Sequence, residues 1–315
     1  MHLKKLLQLF NPQYVNKIGD SNPTSAFKKL LCLYMNWTEK KSIRIAILDM
    51  YEGYANQGMR CIREILNQFG EVNQLDLSWD EFEVRLEKQV PDLSYDIYIS
   101  TGGPGSPLDT EGNEWEKVYF AWLDKVQRWN NNNANVQKKQ VFFICHSFQL
   151  ICRHYNLAKV SKRKSTAFGI FPTHLLTDGK NEMIFEGLKD PFYTVDSRDY
   201  QVTEPNHNKL HQMGASILAI EKDRPHVPLE RAVMAIRFNE NMIGTQFHPE
   251  ADAIGMSLHL QTDEKKKTVI ENYGEEKWKS MIIHLNDPEK IMWTYAHILP
   301  NFLLHAVESV LLVEV

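Results

Sequence analysis

Apolar and polar positions along the chain change their rhythm three times. Up to residue 41 they form two short amphipathic stretches, Leu3 to Phe10 and Ala26 to Tyr34, split by the polar break Gly19-Asp20-Ser21-Asn22-Pro23. This predicts an accessory N-terminal helical segment, residues 1–41. After Lys41 comes Ile43-Arg44-Ile45-Ala46-Ile47-Leu48, a compact β-branched run of the kind that forms a strand buried on both faces of a parallel sheet. Met59, Ile62, Ile65 and Leu66 then follow at helical spacing, and that helix is expected to end near Gly70.

The alternation continues with a strand predicted over Val72 to Leu77, a helix over Glu81 to Gln89 and a strand over Asp96 to Ser100. Trp115, Val118, Tyr119, Trp122, Leu123 and Val126 form one stripe of a long helix closed by the Asn130 to Asn133 run, and Gln140 to Ile144 is again a fully apolar strand. Strands that alternate with helices imply a parallel sheet covered on both faces. From Lys159 to Glu250 the texture turns strand-rich, with Ile217 to Ile220, Ala232 to Ile236 and Met242 to Phe247 as the clearest runs. Beyond Asp252 the pattern is helical, carrying Trp278, Met281, Ile282, Ile291, Trp293, Tyr295, Ile298, Phe302 and Leu303. The expected organisation is therefore a helical extension over 1–41, an α/β domain over 42–252, and a C-terminal helical extension over 253–315 that packs on the core.

Composition narrows the function classes. Lys+Arg 36 against Asp+Glu 40 gives a net charge of −4, without the basic excess that binding a phosphate backbone requires, so no nucleic-acid partner is expected. Even Ile291 to Leu304 is interrupted by His297, Pro300 and Asn301, so no membrane span is expected. The first ten residues have the basic-then-apolar order of a leader, but the apolar part is short and no small-residue cleavage site follows, so they read as an amphipathic helix. Cys32, Cys61, Cys145 and Cys152 form no CxxC pair, which fits a reduced, cytoplasmic setting.

Three strand ends carry unusual residues, and in open α/β sheets ligands gather at such ends. Gly102-Gly103-Pro104-Gly105 is either a simple turn or a loop whose backbone N–H groups cradle an anion or a developing oxyanion. Ile144-Cys145-His146-Ser147 delivers a cysteine from a buried strand to a helix start. Alone, Cys145 is either a buried structural thiol or a nucleophile favoured by the helix dipole. Gln246-Phe247-His248-Pro249-Glu250 places an imidazole and a carboxylate two apart, on one face of an extended segment. A thiolate, an imidazole base and an orienting carboxylate are the cysteine version of the hydrolytic triad. His146 is expected to point to the opposite side of the local chain from Cys145. His207 and His211 lie four apart in a polar stretch without a third ligand, so no metal is expected. Asp263-Glu264-Lys265-Lys266-Lys267 reads as a solvated face or turn.

Together, Thr101 to Pro107, Ile144-Cys145-x-Ser147-x-Gln149-Leu150-Ile151 and Gly244 to Glu250 resemble, in order and spacing, the three signature blocks of class I glutamine amidotransferases. The resemblance covers roughly Ser42 to Asp252. It implies a flavodoxin-like α/β fold, with a mostly parallel sheet flanked by helices and with extra helices at both ends. It implies Cys145 as nucleophile, His248 as general base and then acid, and Glu250 as its orienting partner. The backbone N–H groups of Gly103 and His146 become oxyanion donors. Gly102, Gly105, Gln149 and the backbone around Asp199 and Tyr200 are expected to hold the substrate, L-glutamine or a related γ-glutamyl compound.

The implied activity is release of ammonia from glutamine through a γ-glutamyl thioester, with no cofactor, for an acceptor supplied by a synthase partner. A hydrolase of γ-glutamyl amides or peptides shares the chemistry, and a non-catalytic binding module sharing the fold is the reading of a different class. A homodimer is an alternative use of the terminal helices. The chain departs from the family pattern at Phe143 and Ser147, which stand where it usually has glycine, two before and two after the nucleophile, and it lacks a His usually seen near Arg198.

Overall fold

The structure is a computed structural model and describes residues 42–224, 228–285 and 290–311. The helices expected before residue 42, and Cys32 with them, lie outside the described residues.

Strand β1 (Ser42–Asp49) is followed by α1 (Gln57–Asn73), β2 (Asp76–Glu83), β3 (Ile97–Ser100), α2 (Glu114–Asn131), β4 (Gln140–Ile144) and α3 (His146–His154). Then come β5 (Ala158–Leu175), β6 (Phe192–Pro205), α4 (His207–Met213), β7 (Ser216–Glu221), β8 (Val233–Asn239) and β9 (Met242–Thr245). Helices α5 (Ala253–Leu260), α6 (Asp263–Tyr273), α7 (Glu275–Leu285) and α8 (Ile291–Leu311) complete the order. The strands form a nine-stranded sheet in the order β2-β1-β3-β4-β9-β8-β7-β5-β6. Its β2-to-β9 half is parallel, whereas β9-β8-β7-β5-β6 is antiparallel. The strand-rich stretch after Lys159 thus extends the parallel sheet rather than forming a sheet of its own.

Alternation along β1 divides the interior into two layers. Ile43, Ile45 and Ile47 face a cluster with Met59, Ile62, Ile65 and Leu66 of α1. Ala46 and Leu48 face Trp115, Tyr119, Trp122 and Leu123 of α2 and Phe148 of α3. Helix α8 lies in the first cluster through Ile298, Phe302, Leu303, Ala306 and Val310, and Phe302 meets Phe142 of β4 with ring centroids 5.1 Å apart. A third cluster joins Phe168, Ile170 and Val195 of the β5–β6 hairpin to Met256, Leu260, Val269 and Met281 of α5 to α7.

Two elements differ from expectation. Helix α1 runs past Gly70 and closes at Gln74, in a left-handed conformation, so the strand expected from Val72 begins at Asp76. The helix expected over Glu81 to Gln89 is absent: its first residues finish β2 against β1, and Glu83 then accepts the N–H groups of Leu86 and Glu87 at 2.6 Å each. The Asp263-to-Lys267 charge run opens α6, with Asp263, Lys266 and Lys267 exposed. No helix of the described residues is long and apolar enough to cross a membrane.

Candidate active site

Cys145 sits where β4 turns into α3, with φ 47° and ψ −93°. An L-residue held in so sparsely populated a region costs about 1–3 kcal/mol, which the surroundings must supply. They do so by hydrogen bonds on every side. Cys145 donates its N–H to Thr245 of β9 at 2.8 Å and accepts that of Gln149 at 3.0 Å. The Ser147 hydroxyl accepts the Ile144 N–H at 2.9 Å and donates to the Ser100 carbonyl at 2.7 Å. Ser147 therefore ties the turn to β3. Phe143, another departure from the family pattern, is fully buried in the α2–α3 layer, where it packs edge-on against Phe238 with ring centroids 5.7 Å apart. It does not line the cleft beside Cys145.

The chain leaving β9 brings His248 to the cysteine. His248 N–H bonds the Val195 carbonyl of β6 at 3.0 Å, fixing the backbone from the antiparallel half. Its ring Nδ1 lies 2.8 Å from Glu250 Oε1, and the ring adjoins the Cys145 side chain. Burial by itself favours a neutral imidazole, but the adjoining Cys145 and Glu250 outweigh it and push the His248 pKa well above the usual range. Glu250 is 1% exposed, and its second oxygen, Oε2, has no hydrogen-bond partner among the described residues. A Cβ at Gly102 would lie 2.9 Å from His248 Cε1, 3.1 Å from Tyr51 Oη and 3.6 Å from Cys145 Cβ. Only glycine lets these three side chains converge.

Gly103 is equally constrained, because a Cβ there would meet the Met50 carbonyl at 2.6 Å. Gly105 has φ +83°. The loop is anchored from behind by Arg85, which donates Nη1–H to the Pro104 carbonyl at 2.6 Å and pairs with Glu52 at 2.8 Å. His146 is among the residues lining the cleft, 2% exposed, and its Nε2 has no partner among the described residues. Burial, with the nearby Arg85 and Arg153, lowers its pKa to about 3, so its side chain is neutral and is no competing base. As the first residue of α3, its backbone N–H belongs to the turn whose donors lack intrahelical acceptors.

These residues open into a cleft of about 920 Å³. Gly103, Gly105, Cys145, His146, Gln149, Asp199, Tyr200, His248 and Glu250 line it, whereas Gly102 lies behind the lining. One wall comes from a bulge in β5. Lys162 pairs with Tyr200 and Ala167 with Arg198, so Arg163 to Thr166 stand opposite the single Asp199. Arg163 secures one end through Glu221 at 2.9 Å, and Thr166 the other through the Asp199 carboxylate at 2.5 Å. Asp199 thus spends a side-chain oxygen on the bulge. Met256 and Leu258 of α5 and Val269 of α6 form an apolar wall.

The sequence did not single out Arg85, Tyr51, Arg198 or Gln246. Arg198 is buried on β6 with Asp196 at 3.1 Å, and Gln246 stands within a quoted block but next to the more conspicuous His-Pro-Glu. His207 and His211 both fall on α4, and among the described residues no group of three or more potential ligands is placed to hold a metal.

The fold is thus an α/β protein that sets a cysteine on a strained strand-to-helix turn beside an imidazole fixed by a buried carboxylate. The glutamine amidotransferase class-I family model matches residues 46–262, and the chain belongs to that family. A glutamine amidotransferase from Thermotoga maritima superposes with a TM-score of 0.60 at 14% identity, covering 84% of this chain and 98% of that one. The protein SMU.1228c superposes at 0.57 with 17% identity, over 84% and 100%. A glutamine amido transferase from Methylobacillus flagellatus gives 0.51 with 14% identity, over 87% and 93%. At such identities the likeness concerns the fold. No curated protein matches the chain.

Proposed function

We propose that the protein hydrolyses the side-chain amide of glutamine through a thioester on Cys145. The observation that supports this is the convergence of Cys145, His248 and Glu250 in one cleft, with Nδ1 of the ring 2.8 Å from the carboxylate. The thiolate attacks the amide carbon, and the charge displaced onto oxygen is met by the backbone N–H groups of Gly103 and His146. The C–N bond breaks as His248 gives its proton to the departing nitrogen, leaving the γ-glutamyl thioester and ammonia. His248 then takes a proton from water, whose oxygen attacks the thioester carbon, and glutamate leaves as the thiol re-forms. Glu250 keeps the ring oriented throughout. A synthase partner that consumes the ammonia belongs to this reading. The test is ammonia release from glutamine by the full chain, with Cys145→Ser as control; a wild-type rate no greater than that control overturns it.

The breadth of the cleft favours a second substrate for the same chemistry, a γ-glutamyl amide with a larger amine. Exposed Lys162 and Lys164 on the bulge face the cleft opposite the apolar wall of α5 and α6, which suits an amine part bearing a carboxylate. Release of glutamate from γ-glutamyl-glutamate faster than from glutamine, with the preference lost in Lys162→Glu/Lys164→Glu, selects this substrate. Equal or slower turnover rejects it.

A further inference from the structure

The segment leaving β9 presents two groups to Cys145, of which the triad uses only one. Gln246 and His248 flank Phe247 in the bend that follows β9, and Phe247 packs against Phe192, with ring centroids 5.7 Å apart. The Gln246 side chain is fully buried, and its Nε2 points at Cys145 Sγ from 3.8 Å. Its carboxamide oxygen accepts the Nε2–H of Gln149 at 3.2 Å. Gln149 is itself buried and held one helical turn from the nucleophile by its N–H bond to the Cys145 carbonyl, 3.0 Å. The backbone of Gln246 is fixed by its own N–H bond to Met234 of β8 at 2.8 Å.

We infer that Gln246 is a positioning residue that holds and stabilises the Cys145 thiolate, with Gln149 setting the direction of its amide. The inference rests on the reading of Cys145 as the nucleophile. A carboxamide N–H can only donate, so it favours sulfur carrying negative charge over the neutral thiol. As the two amides stand, Gln149 occupies the Gln246 oxygen and leaves Nε2 for the sulfur. The division of labour follows: His248 moves the proton, while Gln246 steadies the anion that is left. When the thioester forms, sulfur loses its charge and the Nε2–H bond loses most of its strength. The interaction therefore steadies the sulfur in the resting site without holding the acyl intermediate back. Gln149, expected from the family resemblance to bind substrate, acts here through Gln246 as well as lining the cleft.

The ionisable groups around the sulfur are His248 and Glu250 after β9, Arg198 of β6 and Tyr51 after β1. None of these changes in the test variants. The experiment is the pH dependence of iodoacetamide alkylation at Cys145 in the full chain, followed by mass mapping, which needs no substrate. Gln246→Met keeps the bulk and removes the donor. Its alkylation midpoint should rise, with a roughly tenfold slower reaction below the midpoint. Gln149→Met leaves Gln246 in place but frees its oxygen, and should shift the midpoint in the same direction by less. A merely structural role would change the melting temperature and leave the midpoint alone. If both variants alkylate at Cys145 with the wild-type midpoint, the inference is overturned and the nucleophile reading stands. If the wild-type chain is alkylated first at Cys61 or Cys152, the nucleophile reading itself falls.

Discussion

Phe143 of β4 and Gly244 of β9 are register partners, and the missing side chain of the one is the space taken by the other: a Cβ on Gly244 would lie 2.9 Å from both the Cβ and the carbonyl oxygen of Phe143. The bulky residue two before the nucleophile is thus accommodated across the sheet. Gly244→Ala should destabilise the fold by about 1–3 kcal/mol through overpacking, and Phe143→Ala by about 3–5 kcal/mol through the cavity it leaves. Denaturant unfolding measures both. Because Phe143 lies outside the cleft, the folded fraction of either variant should alkylate at Cys145 as fast as the wild type.

Cysteine reactivity should be sharply selective. Burial and the neighbouring Asp252 push the Cys61 pKa up to about 12, and complete burial raises that of Cys152 further. Cys145 stands beside the His248 imidazole, so substoichiometric iodoacetamide near neutral pH should modify it before either of those two. Peptide mapping reads the order.

The imidazole should titrate late. Two acidic neighbours raise the His248 pKa, so its ring should remain protonated well above pH 6.5, and removal of either neighbour should lower the midpoint. Both Cys145→Ala and Glu250→Gln should move it down in an NMR titration of the ring Cε1 proton. Glu250→Gln should also slow turnover on the order of 10²–10⁴-fold, because the ring loses its orienting anion. An unmoved midpoint in both variants would mean that the pair does not interact as the geometry requires.

Arg85 should govern the glycine loop at a distance from the chemistry. Its guanidinium ties the Pro104 carbonyl, the Met50 carbonyl and Glu52 together. Arg85→Met should lower turnover by misplacing the Gly103 N–H while leaving the His248 titration unchanged. A shifted His248 midpoint would locate its effect on the triad instead.

Helix α8 should be integral to the fold. Phe302 is 3% exposed and packs on Phe142 directly beneath the nucleophile strand, so Phe302→Ala should cost about 3–5 kcal/mol. Removal of residues 286–315 should yield aggregated chain in light scattering. A folded monomer from that truncation would refute this role.

The sequence displays the parallel half plainly, because β1, β3 and β4 are buried on both faces and read as unbroken apolar runs. Cys145 and His248 were legible for a related reason: each sits at the abrupt end of such a run. Edge and excursion segments were not. Strand β2 alternates half-buried Leu77 and Trp79 with charged residues and pairs only with β1, so its continuation through Phe82 passes for a helix face. The bulge of β5 is written in charged residues whose placement depends on Glu221 and Asp199, far along the chain. Arg85 and Gln246 carry no local signal, since one glutamine among apolar neighbours reads alike whether it meets water or a thiolate.

The placement of β9 between β4 and β8 also sets an order of events for a growing chain. The cysteine is made a hundred residues before its partner His248, and the backbone bond from Cys145 to Thr245 exists only once β9 has been inserted. Until then the left-handed turn at Cys145 lacks one of its main supports, and no imidazole stands by to share the thiol proton. The same strand insertion that completes the sheet therefore also brings the imidazole to the thiol.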